Sequence, residues 1–221
     1  MRILSILEAI VDIVLPLRGR SARTKARTLG EIPLLPTPHD ILGVRITTLM
    51  EYQNAAVEDL IRSLKYDGSA HAARLASSVL ADYLREEIAS SKAFSARKVL
   101  LVPVPLHKSR ARERGWNQIE LVLRALPEEF RNGTLSYMEV SMLARTRATK
   151  PQTRLPRSER LSNVAGAFAL AGQAVTDEPR VRDAHVFLID DVTTTGATLA
   201  NAATPLRRAG AKVTLLALAR A

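Results

Sequence analysis

The residues with the clearest chemical potential are two adjacent carboxylates that stand directly before a run of threonines. Asp190 and Asp191 follow the apolar run from His185 to Ile189. The polar loop after them contains Thr193, Thr194, Thr195, Gly196 and Thr198. The apolar run is short enough to be one buried parallel strand, and open α/β sheets bind ligands at the carboxyl ends of their strands. The sequence therefore predicts a polar site at a strand-to-helix junction.

The loop leads into a predicted helix, whose first turn would point free N–H groups back at it. Its inward residues have helical spacing and are Leu199, Ala202, Ala203 and Leu206. These N–H groups and the threonine hydroxyls would hold a phosphate, and Gly196 would let the backbone approach it. The two aspartates could accept bonds from sugar hydroxyls or hold Mg²⁺. A simpler alternative is that the acids end a strand and the threonines only cap the helix.

A second loop lies earlier in the chain, between an apolar strand and another helix. The strand from Val99 to Val102 should stop at Pro103, because proline cannot donate a hydrogen bond within a central ladder. A helix is expected from about Trp116. Its inward residues would be Ile119, Val122, Leu123 and Leu126.

These segments resemble a known superfamily. The pattern from Asp190 to Thr198 is similar to the loop of type I phosphoribosyltransferases, which bind phosphoribosyl pyrophosphate (PRPP) through an acidic pair followed by T-T-G-x-T. Residues 102–118 and 143–168 resemble the ComF branch of that superfamily. The resemblance extends from about Tyr52 to the C-terminus. It implies an α/β fold with a type I phosphoribosyltransferase-like parallel sheet, flanked by helices and carrying a small hood.

The resemblance also implies site residues. Asp190 and Asp191 would be the catalytic pair, binding the ribose and holding Mg²⁺ directly or through water. The loop for the 5-phosphate would be Thr194, Thr195, Gly196, Ala197 and Thr198. The pyrophosphate loop would be Pro103, Val104, Pro105, Leu106, His107 and Lys108. A mobile loop within residues 145–160 would bring Arg157 and Arg160 over the ligand; alternatively, that loop binds nucleic acid.

The composition limits the kinds of metal site that the chain can form. The chain contains no cysteine, and its four histidines lack ligand spacing. ComF-like proteins usually carry an N-terminal zinc module with cysteines, and the corresponding region, about residues 15–46, has none. The expected cofactor is Mg²⁺ together with PRPP, without zinc.

The domain organisation is expected to be simple, because 221 residues that are 47% hydrophobic can form one substantial core. Residues 46–221 are predicted to be the phosphoribosyltransferase-like domain, and residues 1–45 an N-terminal helix with a basic linker or hood segment. Residues 1–16 have one apolar helical face, but Glu8 and Asp12 interrupt the apolar run along the chain, which argues against a signal peptide. No apolar run approaches the roughly 20 residues of a membrane span, so a cytoplasmic protein is expected.

The net charge of +10 indicates an anionic partner. The positive excess lies in three segments, residues 18–27, 108–114 and 145–160. The first suggests a flexible basic linker or, as the simpler alternative, a solvated loop in place of the zinc module. The other two lie inside the ComF-like blocks.

Two functions from different classes are compatible with these patterns. The first is a phosphoribosyltransferase that transfers phosphoribosyl from PRPP to a nitrogen acceptor and releases pyrophosphate. The second is a non-catalytic nucleic-acid-binding accessory of DNA uptake or competence, with single-stranded DNA or another polyanion as partner. Aromatic residues are only 4% of the chain, which supplies few stacking surfaces for bases. The acceptor, turnover and oligomeric state are left open.

Overall fold

The computed structural model describes residues 19–41, 43–146, 166–171 and 181–221. Its helices are α1 (Gly19–Ala26), α2 (Ala55–Asp67), α3 (Ala70–Phe94), α4 (Lys108–Arg114), α5 (Gln118–Ala125) and α6 (Ala197–Arg208). Its strands are β1 (Thr37–Ile41), β2 (Val44–Glu51), β3 (Val99–Pro103), β4 (Tyr137–Met138), β5 (Leu143–Arg145), β6 (Phe168–Leu170), β7 (His185–Thr193) and β8 (Lys212–Arg220).

The main sheet has six strands in the order β1-β2-β8-β7-β3-β4. Strand β1 pairs with β2 antiparallel, and the remaining neighbours in this sheet are parallel. Strands β5 and β6 form a separate antiparallel pair. The predicted fold class is thus confirmed: the chain is α/β, with a mostly parallel sheet consistent with the type I phosphoribosyltransferase fold.

The core lies on both faces of the sheet, because alternate residues of each strand point to opposite sides. Phe187 and Ile189 pack under α2, α3 and α5, whereas Val186 and Leu188 pack under α6. The residues predicted to face inward from α5 and α6 are buried, as expected from their spacing: Ile119, Val122, Leu123, Leu126, Leu199, Ala202, Ala203 and Leu206.

Strand β7 extends further than its neighbour β3, which leaves a gap beside the end of β7. Pairing between them stops at Pro103 opposite Ile189, whereas β7 continues beside β8 as far as Thr193 opposite Arg220. The predicted stop at the proline is confirmed. Among the described residues, β7 therefore has a strand neighbour on one side only from Asp190 onward.

The N-terminal basic segment differs from the flexible linker that its composition suggested. Residues 19–26 form helix α1, since Arg20 makes a two-bond contact with Asp67 and Arg23 makes another with Asp59. These acids lie on α2, so the linker interpretation was wrong for this stretch. Strand β1 joins the sheet edge, and the division of the chain at residue 45 stays a prediction.

Two further predictions concern parts of the chain that the structure does not describe. The N-terminal helix of residues 1–16 and the mobile loop with Arg157 and Arg160 lie outside the described residues. None of the helices in the described ranges combines the length and apolar content that crossing a membrane requires.

Candidate functional site

A cavity of about 960 Å³ opens where β3 stops and β7 continues. It brings together residues from both predicted loops and from α2, α4 and α5. Its lining includes Asp190, Asp191, Thr194, Thr198, Val104, Pro105, Leu106, Lys65, Arg110, Glu113, Arg114, Gln118 and Arg145, with the rings of Tyr52, Tyr66 and Trp116. The acid pair, part of the threonine loop and part of the predicted pyrophosphate loop thus share one space.

The two carboxylates have different surroundings. Asp191 is 7% exposed, and its Oδ2 accepts a hydrogen bond of 2.8 Å from Gln118 Nε2 and lies 3.7 Å from Lys65 Nζ. Its Oδ1 accepts from the backbone N–H of Val192 at 2.7 Å. Asp190 keeps more exposure towards the cavity, and its Oδ1 accepts from the N–H of Asp191 at 2.9 Å.

The charge on Asp190 is costly in this position. Removal from water, and then the neighbouring charge of Asp191, raise the pKa of Asp190 to about 8. Lys65 opposes this shift. A cation or a hydroxyl donor beside Asp190 would therefore relieve an existing electrostatic penalty.

Helix α6 begins directly after the threonine loop, as the sequence predicted. Gly196 caps it with φ of 69°, and a Cβ there would lie 2.5 Å from Ile46 Cδ1. The glycine is thus required by its backbone conformation and by close packing on β2. Thr195 Oγ1 is buried and has no hydrogen-bond partner among the residues that the structure describes. This hydroxyl is closed off from solvent, whereas Thr194 and Thr198 of the same loop line the cavity.

The carboxylate oxygens of the acid pair suit Mg²⁺ only if the bound substrate supplies further oxygen ligands to the ion. Within the described ranges, no three His, Cys, Asp or Glu side chains are grouped to hold a metal ion. Mg²⁺ is commonly bound by one or two carboxylates together with substrate phosphates, rather than by a cage of protein ligands. Asp190 and Asp191 fit that arrangement.

The predicted pyrophosphate loop contributes in part. Val104, Pro105 and Leu106 line the cavity, but the Val104 N–H already donates to Ile189 O at 2.8 Å, and a proline has no N–H. His107 instead caps α4, with its Nδ1 accepting from the Ser109 N–H, and Lys108 begins that helix. Both lie outside the cavity lining.

The arginines that line the cavity lie outside the predicted pyrophosphate loop. Two of them lie on helix α4, which the sequence did not predict. Arg110 and Arg114 project from it, and Arg145 comes from β5. Burial lowers the pKa of Arg145, and Arg110 lowers it further. Burial also lowers the pKa of Arg114, against the opposing charge of Asp191. Desolvated guanidinium groups close to one another favour an anionic ligand.

An aromatic wall was missed by sequence reasoning. Tyr66 is half exposed, and the Arg20 and Arg114 guanidinium carbons lie 5.2 and 6.0 Å from its ring centre. Trp116 Nε1 donates to Leu64 O at 3.0 Å, and its ring covers Gly68, the cap of α2. Trp116 lies within residues 102–118, which resemble the ComF branch, and that resemblance was the available signal.

Known proteins resemble this chain over most of its length, although no protein-family model matches it. Competence protein ComFC of Streptococcus pneumoniae is 30% identical over 171 residues, which are 77% of this chain and 66% of that protein. DNA utilization protein YhgH of Escherichia coli O6:H1 is 30% identical over 206 residues, 87% of this chain and 83% of that protein. Competence protein F of Haemophilus influenzae is 34% identical over 122 residues, 55% and 50% of the two chains. The chain thus spans about two thirds of the ComFC length.

Proposed function

Because the chain belongs to the ComF family of competence protein ComFC, competence protein F and DNA utilization protein YhgH, we propose that it binds PRPP with Mg²⁺. We further propose that it transfers the phosphoribosyl group to a nitrogen acceptor and releases pyrophosphate. The observation that carries this proposal is the acid pair, which shares one cavity with Thr194 and Thr198 of the threonine loop.

The chain's residues would act through position and charge. The reaction breaks the bond between C1 of the ribose and pyrophosphate and forms a C1–N bond, with positive charge developing on the sugar. Asp190 would accept hydrogen bonds from the ribose hydroxyls, and Asp191 would add negative charge beside it. When bound, Mg²⁺ would neutralise charge on the departing pyrophosphate.

The phosphates would be divided between two sets of residues around the cavity. The threonine loop and the N-terminus of α6 suit the 5-phosphate, because backbone N–H groups and hydroxyls can donate there. Arg110 and Arg145 suit the pyrophosphate, because they line the same cavity and supply positive charge. Holding both ends would orient C1 towards the acceptor.

Calorimetry with PRPP, with and without Mg²⁺, tests this proposal. The wild-type chain should bind PRPP in a Mg²⁺-dependent manner, and the double variant D190N/D191N should lose at least about tenfold in affinity, the effect expected when a metal ligand is impaired. E120Q, at a partly exposed site on α5 away from the cavity lining, is the matched control. A wild-type chain without affinity for PRPP in the presence of Mg²⁺ would reject the proposal.

The second function, binding of single-stranded nucleic acid, is favoured by helix α4. This helix carries Lys108, Arg110, Arg112 and Arg114 and has no buried residue, so much of its charge is available at the surface. The names of the relatives refer to competence and DNA utilization. The two functions are compatible, because α4 also borders the cavity.

Filter binding to a single-stranded oligonucleotide over a range of salt concentrations tests this second function. Affinity should fall steeply with salt, because phosphate neutralisation releases counterions. R110E/R112E should weaken binding and flatten the salt dependence. Unchanged binding by this double variant would exclude α4 as the contact surface.

A further inference from the structure

A chain of three side chains leads from the surface of the cavity to Asp191. Arg114 Nη1 donates to Gln118 Oε1 at 2.7 Å, and Gln118 Nε2 donates to Asp191 Oδ2 at 2.8 Å. Gln118 is 5% exposed and Asp191 7%. These contacts connect the end of α4 and the start of α5 to β7.

The direction of this chain is fixed by chemistry. A guanidinium group can only donate hydrogen bonds, so it selects the oxygen of the Gln118 amide. The amide nitrogen is thereby directed at Asp191, where a donor is needed. Arg114 thus determines which end of Gln118 faces the acid.

Asp191 is consequently occupied by the protein on both of its oxygens. Gln118 and Lys65 contact Oδ2, and the Val192 N–H contacts Oδ1. Asp190 faces the same cavity with greater exposure. The two acids therefore differ in how much of their hydrogen-bonding capacity is left for a ligand.

We propose that Gln118 and Arg114 are positioning residues that hold Asp191 as a fixed anion, so that Asp190 is the acid that contacts the ribose and its cation. This inference rests on the proposed function, because it assigns different roles to the two acids of the PRPP site. Gln118 acts through Asp191 and does not touch the ligand. Its loss would leave a buried carboxylate without one of its donors.

Calorimetric PRPP titration in the presence of Mg²⁺ tests the positioning role with a double-mutant cycle. Gln118→Met keeps the length and packing of the side chain but removes the amide, and Arg114→Met removes the donor that orients it. Q118M should weaken PRPP binding about tenfold, as is typical for residues that orient a metal ligand. In the Q118M background, Arg114→Met should cost clearly less than in the wild type, because the relay is already broken.

The cycle separates a relay from a direct ligand contact. If Arg114 acted only by touching the ligand, the two losses would multiply, and the inference would be overturned. Wild-type affinity in Q118M would overturn it as well. R124M, which removes an exposed pair with Glu120 on the same helix, is the control and should bind like the wild type. Thermal unfolding of each variant checks that it is folded.

An NMR measurement without PRPP tests the contact between Gln118 and Asp191 independently of the proposed function. The ¹⁵N side-chain amide signal of Gln118 should shift in D191N, whereas the amide of Asn201, which donates to Ala197 O, should not. An unmoved Gln118 signal contradicts the relay even if PRPP binds. A wild-type chain that binds no PRPP rejects the proposed function and the ligand role of the relay, while the amide signal still decides whether Gln118 holds Asp191.

Discussion

At the scale of single residues, the acid pair combines two neighbouring carboxylates with unequal surroundings. The pattern of two acids before threonines predicted a site at the end of a strand, and the structure places both acids in the cavity. The sequence did not indicate which acid faces the ligand. That difference depends on Gln118, which is 73 positions away from Asp191 along the chain. No local spacing reveals such a partner.

The raised pKa of Asp190 predicts a pH dependence of PRPP binding. A proton on Asp190 must leave before the carboxylate can meet a cation, so affinity in the presence of Mg²⁺ should rise with pH and level off above about 8. Below that value, binding should release a proton. Calorimetry in buffers of different ionisation enthalpy measures the release.

The variant D190N cannot release a proton at this position and serves as the comparison. Its remaining affinity should lack the pH dependence assigned to Asp190. Equal proton release by D190N and the wild type would contradict the assignment.

Thr195→Val should affect the free energy of unfolding and the affinity for PRPP in opposite ways. The substitution removes a buried hydroxyl that has no partner in the described chain and keeps the shape of the side chain. The free energy of unfolding should therefore stay the same or rise by about 1 kcal/mol, because an unsatisfied buried hydroxyl is costly. We expect the hydroxyl to turn towards a phosphate oxygen when PRPP binds, so PRPP affinity should fall about tenfold.

Denaturant unfolding and PRPP calorimetry measure the two effects of Thr195→Val. T204V, which alters an exposed threonine of α6, is the control. A clear loss of stability in T195V would show that the hydroxyl serves the fold instead.

At the scale of elements, the turn between β7 and α6 depends on the contact of Gly196 with β2. Gly196→Ala should destabilise the fold by about 2 kcal/mol or more, because an alanine is strained at φ of 69° and its Cβ would overlap Ile46 Cδ1. Ile46→Val removes that atom and should recover part of the loss in the double variant. Thermal and denaturant unfolding measure both effects.

A matched control for this turn is Gly30→Ala. A Cβ at Gly30 meets no atom within 4 Å, and its φ lies outside the left-handed region. It should change stability by less than about 0.5 kcal/mol. Equal losses for the two glycines would contradict the role of the Ile46 contact.

The elements themselves were predictable where their periodicity was strong. Strands β3 and β7 follow from short continuous apolar runs, and the apolar faces of α5 and α6 follow from helical spacing. Helix α4 was missed because its seven residues carry charges without an apolar face. Helix α1 was missed for a related reason, since its stability comes from Asp59 and Asp67 on another helix.

At the scale of the whole molecule, a buried histidine joins a helix to the sheet. His185 contacts Ser91 of α3 through Nδ1 and Thr214 of β8 through Nε2, each at 2.8 Å. Burial, and then the charges of Lys212 and Arg97, lower the pKa of His185 to about 4. The folded chain therefore holds His185 neutral in a range where the unfolded chain would protonate it.

This difference predicts acid sensitivity. Because the folded pKa is depressed, the stability contribution is complete above about pH 6.5, the ordinary value for histidine, and is lost as pH falls towards 4. The loss should be about 3 kcal/mol, from a shift of roughly two and a half pKa units. Urea unfolding at several pH values measures it.

His185→Gln should flatten this part of the pH profile, since glutamine keeps hydrogen-bonding groups but does not titrate. An unchanged slope in H185Q would assign the acid sensitivity to other groups.

The single tryptophan of the chain makes the cavity observable without labels. Trp116 lines the cavity, its indole is held by Leu64 O, and the chain has no other indole to obscure it. Its fluorescence therefore comes from one known place beside the acid pair. Changes in its emission maximum and quenching would report the arrival of a sugar phosphate, a flat acceptor or an oligonucleotide. Stopped-flow mixing with each of them would then give the order in which they enter.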